Sequence, residues 1–220
     1  MTSAADRRHL ALMLALTFST GVIDAVGYLG LDRVFTGNMT GNVVLLGMAV
    51  VGADDLPVLG PVVALLGFLS GAAVGGRVLK NAPSRGWTTR TTTLFGCVAG
   101  ALALTGGVLV VDERPSHAVA VGVTAALGLA MGLQAATARV VAVKDVTTVV
   151  VTSTLTGLAA DSVLGAGKPG LTGRRAVAVA LITVGAGTGA ALVHLHLAAG
   201  VLLAAALTTA VTIVGGRSTR

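Results

Sequence analysis

Residues 21–47 read GVIDAVGYLGLDRVFTGNMTGNVVLLG, and they place several polar groups inside sequence that is otherwise apolar enough for a membrane. Asp24 lies within an apolar segment, Asp32-Arg33 interrupts that segment, and T-G-N-M-T-G-N at 36–42 opens a second, shorter one. Polar side chains are costly inside a membrane, so this density of them indicates a functional site. A fainter version recurs at 132–165, GLQAATARVVAVKDVTTVVVTSTLTGLAADSVLG, which points to an internal repeat.

The composition is that of a polytopic membrane protein. Apolar residues make up 54% of the chain and charged residues 11%, with a mean hydropathy of +0.90. A soluble domain carries about 25% charged residues. We therefore predict an all-α integral membrane protein with residues 1–220 as a single membrane domain. The net charge of +6 does not indicate a nucleic-acid partner, because the basic residues lie in short loops, where orientation signals occur.

Six segments are long and apolar enough to span a bilayer, which takes roughly 20 residues. They are 10–31, 57–79, 93–111, 117–138, 176–197 and 198–215. The apolar run after Arg7-Arg8 is predicted to be a retained first helix and not a signal peptide, because it contains Asp24 and lacks a small-residue cleavage site. Two further segments, 36–52 and 149–165, are marginal in length and rich in Thr or Asn.

The distribution of basic residues predicts how the chain crosses the membrane. If both short segments crossed, the basic loop 80–92 would lie outside, against the positive-inside rule. If both are re-entrant, six helices span, and every Lys and Arg except Arg33 and Arg114 faces the cytoplasm. We therefore predict two re-entrant segments, both termini in the cytoplasm, and a location in the cytoplasmic (inner) membrane.

This arrangement divides the chain into two similar halves, 10–111 and 117–215. Each half has a spanning helix, a polar break, a short re-entrant segment and two more spanning helices. Because three spans per half is an odd number, the halves insert with opposite orientation, as in the inverted-topology repeats of many secondary transporters. The proposed alignment pairs Asp24-Ala25 with Gln134-Ala135 and Thr40-Gly41 with Thr156-Gly157.

The tandem T-G-N predicts a helix that begins inside the membrane. Thr and Asn are good N-caps, and the free N–H groups of a first turn favour an anion or a polar oxygen. The segment TTVVVTSTLTG at 147–157 is predicted to begin extended, turn helical near Ser153, and meet the first re-entrant segment at the midplane. The structural alternative is a G-x-x-x-G packing face with caps and no ligand.

The predicted binding residues come from both halves. They are Asp24, Thr36, Asn38, Thr40, Gly41, Asn42, Gln134, Thr154, Thr156 and Gly157, with Gly37 and Gly41 allowing close approach. Asp24 and Asp161 are the acidic residues well inside apolar segments, and both are candidates for coupling to protons or cations. The structural alternative for Asp24 is a hydrogen bond to an unpaired backbone group beside the helix break. Gln134 is the predicted uncharged counterpart of Asp24.

The sequence contains no recognisable catalytic or metal-binding constellation. The single cysteine, Cys97, excludes an intramolecular disulfide, and no His, Cys and carboxylate residues have metal-ligand spacing. His194 and His196 lie near the end of a span, where interfacial positions are common. No nucleotide-binding glycine motif is present. We predict that the protein is not an enzyme and holds no cofactor, although Asp24 with Asp161 is a remaining carboxylate pair to consider.

These motifs resemble a known family. G-x-x-D-A-x-G-Y at 21–28 and V-F-T-G-N-M-T-G-N at 34–42 are similar to the YoaK-like family of bacterial multi-pass membrane proteins. G-L-Q at 132–134 and T-S-T-L-T-G at 152–157 resemble that family's second motif. The family often has Gln-Asn-Ala where this chain has Gln134 followed by two alanines. The resemblance implies a membrane protein and the positions of the motifs, and it implies no substrate.

The leading functional prediction is a small secondary transporter or facilitator for a small polar or anionic metabolite. Its site would lie near the midplane between the two re-entrant segments, with membrane lipid around it and proton coupling through Asp24. The small size favours a homodimer. A passive channel is the nearest variant. The alternative from another class is a non-transporting membrane module that binds a lipid or a partner protein.

Overall fold

The computed structural model describes residues 4–83, 86–112, 114–141, 151–162, 165–167 and 172–217. Within these ranges the chain forms eight α-helices and a 3-10 turn at Ala53–Asp55. The helices are α1 (Ala4–Gly30), α2 (Met39–Val50), α3 (Leu59–Val78), α4 (Thr89–Val111), α5 (His117–Val141), α6 (Val151–Ala160), α7 (Thr172–Leu195) and α8 (Leu197–Gly216). The predicted extended segment at 147–150 lies outside the described residues.

Helix lengths separate the eight helices into two classes. Six of them, all except α2 and α6, are long and apolar enough to cross a membrane. At 1.5 Å per residue the 12 residues of α2 and the 10 of α6 reach only about 18 Å and 15 Å, short of a hydrocarbon core of about 30 Å. The prediction of an all-helical, multi-pass membrane protein with six long apolar helices is confirmed.

Local capping explains where several helices begin. Asn38 caps α2, and its side-chain oxygen accepts from the Gly41 backbone N–H at 3.3 Å. Thr88 and Thr91 form a reciprocal capping box at the start of α4. His196 separates α7 from α8, and its Nδ1 accepts from the Ala198 N–H at 3.0 Å. The predicted turn between the last two spans is therefore capped by a histidine side chain.

Close helix packing at glycines builds the two main helix pairs, α1 with α7 and α3 with α5. A side-chain carbon at Gly21 would overlap the backbone of Ile182, and one at Gly132 would overlap the backbone of Phe68. Small residues let apolar helices approach in this way, with backbone lying against backbone.

The same contacts occur in both helix pairs. Gly71 lies on the Leu129 backbone as Gly185 lies on the Phe18 backbone. A side-chain carbon at Gly75 would meet the methyl of Ala136, as one at Gly189 would meet that of Ala25.

By these contacts, Gly132 takes the place in the α3–α5 pair that Gly21 takes in the α1–α7 pair, and Ala136 takes the place of Ala25. This register differs by one residue from the proposed alignment, which pairs Ala25 with Ala135, and it matches Asp24 with Ala135. Backbone contact at the glycines sets this register, whereas the alignment followed the polar side chains of Asp24 and Gln134.

The apolar side chains divide between the helix interfaces and the outer surface. The larger buried cluster joins α1, α4, α5 and α8, and includes Ile23, Leu102 and Leu127. A smaller cluster surrounds Trp87, whose ring stacks on Phe95 with centroids 5.2 Å apart. Many large apolar side chains are nevertheless exposed, including Leu104 at 76%, a distribution suited to lipid contact.

Candidate functional site

After α1 the chain turns back along the helix it has just left. Arg33 adopts a left-handed conformation with φ +48°, which is uncommon for a residue other than glycine and marks a sharp change of direction. The Val34 N–H then donates to the Gly27 carbonyl at 3.3 Å. A side-chain carbon at Gly27 would lie 2.6 Å from the Val34 carbonyl oxygen, so this close return requires glycine there.

The returning loop ends on the carboxylate of Asp24. Oδ1 of Asp24 accepts from the backbone N–H groups of Gly37 at 2.7 Å, Thr36 at 3.0 Å and Asn38 at 3.4 Å. These N–H groups lie at the amino-terminal end of α2, where a negative charge is favoured. The group they bind is the protein's own carboxyl. Asp24 therefore makes the hydrogen bonds to unpaired backbone groups beside the helix break that the structural alternative predicts.

The two asparagines of the tandem motif have different contacts. Asn38 is exposed and caps α2, as predicted. Asn42 is fully buried, and its amide pairs with both backbone groups of Phe35: Oδ1 accepts from the N–H at 2.9 Å, and Nδ2 donates to the carbonyl. Thr40 is exposed on α2. The motif therefore holds its own loop in shape through Asn42.

Aromatic packing, which the sequence reasoning missed, completes the loop. The rings of Tyr28 and Phe35 stack with centroids 5.1 Å apart. A side-chain carbon at Gly41 would lie 2.7 Å from the Phe35 ring, so Gly41 is the surface on which that ring rests. The signal was present in the sequence, since Tyr28 and Phe35 flank the break between the two apolar segments.

Gly37 brings the loop against α5. A side-chain carbon at Gly37 would lie 2.8 Å from the Thr20 methyl, 3.4 Å from Asp24 Oδ1 and 3.4 Å from the Met131 methyl. The loop is therefore wedged between α1, which carries Thr20 and Asp24, and α5, which carries Met131. Gly37 therefore permits a close approach by side chains of both helices, whereas the approach of a ligand stays a prediction.

Gln134 extends this polar group from α5. It is 1% exposed, and its Nε2 donates to Thr20 Oγ1 at 3.3 Å, while the Thr20 hydroxyl donates to the Leu16 carbonyl at 2.9 Å. This chain of donors fixes which way the amide points. Thr20 was not among the predicted site residues, although it lies one helical turn before Asp24 on the same face of α1.

Three oxygen atoms of this group have no hydrogen-bond partner among the described residues. They are Gln134 Oε1, the hydroxyl of the fully buried Thr36, and Oδ2 of Asp24. Gln134 Oε1 and Thr36 Oγ1 are enclosed, and buried polar atoms are almost always hydrogen-bonded, so these two call for an explanation. We name the set Thr20, Asp24, Thr36, Gly37 and Gln134 the Asp24 cluster.

The other predicted residues of the second half, on α6 and just after it, have different contacts. Asp161 forms an ion pair with Arg175, which also donates to the Gly157 carbonyl at 2.9 Å. The exposed Thr156 donates to the Thr152 carbonyl within α6. α6 packs on α7, whereas α2 packs on α3. These contacts connect α6 to α7, and the predicted meeting of Thr154 and Thr156 with residues 36–42 stays a prediction.

No metal site is formed by three or more His, Cys, Asp or Glu side chains in the ranges that the structure describes. A surface groove of about 600 Å³ lies away from the Asp24 cluster, along α4 and the start of α5. Its lining is largely apolar and includes Leu104, Val108 and Val119. This groove therefore does not serve the polar cluster.

Comparison with known proteins gives a family and no solved relative. Residues 12–214 match the family described as "Protein of unknown function (DUF1275)". The chain is similar to UPF0700 transmembrane protein YoaK of Bacillus subtilis (strain 168), with 32% identity over 169 residues, which cover 73% of this chain and 69% of that protein. No solved structure matches. The chain therefore belongs to the DUF1275 family and is a multi-pass transmembrane protein of the YoaK type.

Proposed function

We propose that the chain is a small secondary transporter or facilitator for a small polar solute, and not an enzyme. The observation that carries this proposal is the Asp24 cluster, which buries a carboxyl, an amide and a hydroxyl beside two spanning helices, with the enclosed oxygens Gln134 Oε1 and Thr36 Oγ1 unpartnered. Intramembrane polar groups of this kind mark substrate and ion pathways. In this proposal the protein lies in the inner membrane with both termini in the cytoplasm.

The relative directions of the helices support an inverted repeat. α1 and α7 run parallel, because Gly185 lies on Phe18 and Gly189 lies on Val22. Gly71 on Leu129 and Gly75 near Leu133 likewise make α3 and α5 parallel. α4 and α8 are antiparallel, because Gly106 lies near Leu202 while the earlier Gly96 lies near the later Thr212.

Only one pattern of crossings fits these directions if each long helix spans once. If both α2 and α6 crossed, α4 and α8 would be parallel. If one of them crossed, α1 and α7 would be antiparallel. The directions thus favour short helices that return to the side they left, with the halves 10–111 and 117–215 inserted oppositely. The backward course of residues 34–38 along α1 supports the same re-entrant geometry for α2.

The position of the cluster relative to the repeat supports a transport site. By the matched glycine contacts, Met131 is the counterpart of Thr20, and both side chains face Gly37. The loop therefore lies where the two halves meet, and inverted-repeat transporters bind substrate and coupling ions at such an interface. The contribution of Thr154, Thr156 and Gly157 from the second half stays a prediction, as does that of Asp161.

Transport can be tested directly with purified protein in liposomes. Solute-evoked currents on a solid-supported membrane would be recorded for amines, amino acids, sugars and carboxylates, with and without a pH gradient. We expect a saturable response to at least one class, lost in Asp24→Asn and kept in Thr124→Val. Thr124 is the matched control, because its hydroxyl is also buried and unpartnered on α5 but lies ten residues from Gln134. A linear, non-saturating response would indicate a channel.

The apolar groove along α4 supports a second candidate, a module that binds a lipid and transports nothing. Its lining suits an acyl chain. On this alternative the Asp24 cluster only positions α2, so substitutions there would lower the melting temperature while no solute in the panel gives a response. Leu104→Gln and Val108→Gln would then remove lipid that copurifies with the wild-type protein.

A further inference from the structure

We infer that the Asp24 cluster binds a small monovalent cation through Gln134 Oε1, Thr36 Oγ1 and Asp24 Oδ2. The inference rests on the proposed transport function, in which the cation is either the solute itself or the ion coupled to it. It narrows that proposal, because it assigns a positively charged ligand to the cluster, where the prediction from the sequence included an anionic metabolite.

The atoms that could have bound an anion are already used. The three N–H groups before α2 donate to Asp24 Oδ1, at distances from 2.7 to 3.4 Å. An incoming anion would have to displace this carboxylate and would then lie beside it. Because two negative charges in a low-dielectric site repel strongly, the cluster disfavours an anion.

The atoms that remain unpartnered are all oxygens. Gln134 presents Oε1 and not its amino group, because its Nε2 is directed to Thr20, whose own proton goes to Leu16. Thr36 adds a hydroxyl oxygen that is fully buried. A carboxylate, an amide and a hydroxyl oxygen are the ligands that hard cations take, and they also accept hydrogen bonds from an ammonium group.

The charge balance of the cluster points the same way. No basic side chain forms an ion pair or hydrogen bond with Asp24 among the described residues, whereas Asp161 pairs with Arg175. A buried carboxylate without a counter-charge is costly, and a bound cation would supply that charge. The cluster contains one carboxylate, and the described ranges hold no group of three or more acidic, His or Cys residues. An ion of single charge is therefore favoured.

The test is the melting temperature of the full-length protein in detergent. Sodium, potassium and methylammonium chloride would each be titrated against N-methylglucamine chloride at constant ionic strength. A ligand that binds the folded state raises stability in proportion to the logarithm of its concentration. We expect at least one small cation to raise the melting temperature by about 3 °C or more near saturation. The alkali-metal and methylammonium arms distinguish a metal ion from a protonated amine.

Two substitutions separate a binding site from a structural cluster. Thr36→Val is nearly isosteric and removes an unpartnered hydroxyl, and Gln134→Leu leaves Thr20 still bonded to Leu16, so neither creates a new unpartnered protein atom. Both variants should fold and should lose the cation-dependent shift. Thr36→Ser, which keeps the hydroxyl, and Thr124→Val, which is remote from the cluster, should keep the shift.

Equal melting temperatures in all four salts would overturn the inference, as would an undiminished shift in both Thr36→Val and Gln134→Leu. Because binding is read without flux, the two proposals can fail separately. A cation-dependent rise in melting temperature without transport would support the cation site and contradict the transport function. Transport without such a rise would support the transport function and contradict the cation site.

Discussion

The Asp24 carboxylate and the Gly37 backbone nitrogen, 13 residues apart in sequence, lie 2.7 Å apart. This bond joins the break after α1 to the start of α2, and it holds the loop in the narrow space between Thr20 and Met131. The same two residues thus fix the shape of the loop before α2 and hold a carboxyl group beside the contact between that loop and α5.

Replacing Gly37 by Ala should destabilise the protein. The new methyl group would lie 2.8 Å from the Thr20 methyl, so the loop must move away from Asp24. Overpacking of this kind costs roughly 1–3 kcal/mol. The measurement is thermal unfolding in detergent, with Gly47→Ala as the control, because Gly47 lies in α2 with nothing near its missing side chain. Equal losses in the two variants would contradict the wedged position of Gly37.

Asn42→Ala should cost more than Asn38→Ala, although both residues belong to the same tandem motif. Asn42 satisfies the buried N–H and carbonyl of Phe35, and leaving both unpaired costs roughly 2 kcal/mol or more. Asn38 is an exposed cap, whose loss costs about 1 kcal/mol. Chemical denaturation of the two variants, with the exposed Thr40→Ala as reference, checks the order. The reverse order would refute the assigned roles.

Gly21→Val and Gly132→Val should have similar and severe effects, because each residue lies against the backbone of a partner helix. Gly21 contacts Ile182 of α7, and Gly132 contacts Phe68 of α3. Neither contact can yield without separating the helices, so we expect a large loss of folded protein on size-exclusion chromatography. Gly122→Val on α5 is the control, since its missing side chain faces open space. A loss caused by only one of the two substitutions would speak against equivalent packing of the two helix pairs.

The pair Asp161–Arg175 should contribute little to stability. The two side chains are 36% and 14% exposed, and ion pairs near the surface contribute about 1 kcal/mol or less. A double-mutant cycle with Asp161→Asn and Arg175→Gln measures the coupling energy. We expect Asp161→Asn to leave any solute response intact, because the carboxylate already has a basic partner. Loss of that response at unchanged stability would restore Asp161 as a coupling residue.

The proposed re-entrant course of α2 predicts that its two flanks lie on the same side of the membrane. In a Cys97→Ser background, Arg33→Cys and Val51→Cys would be labelled with a membrane-impermeant maleimide in intact cells. Both positions are exposed, and Val51 follows α2 directly. We expect both to be labelled from outside. Labelling of Arg33→Cys alone would mean that α2 crosses the membrane.

The loop between α1 and α2 shows how far the sequence alone could predict the site. Asn38 was predictable as a cap, because capping depends on a few adjacent residues. The pairing of Asn42 with Phe35, and of Gln134 with Thr20, could not be predicted. The second of these bonds joins residues 114 positions apart, and the choice between several buried partners depends on how helices are placed.

The sequence by itself determined the class of protein, the six long apolar helices and the two short ones. Hydrophobicity and segment length are local properties, and they decide whether a segment can span a bilayer. It also located the polar break around Asp24. Only the tertiary structure decided that Asp24 binds its own loop and that the matched glycine contacts differ by one residue from the proposed alignment. Those outcomes depend on which backbones approach at glycines distant in the chain, and no local pattern contains that information.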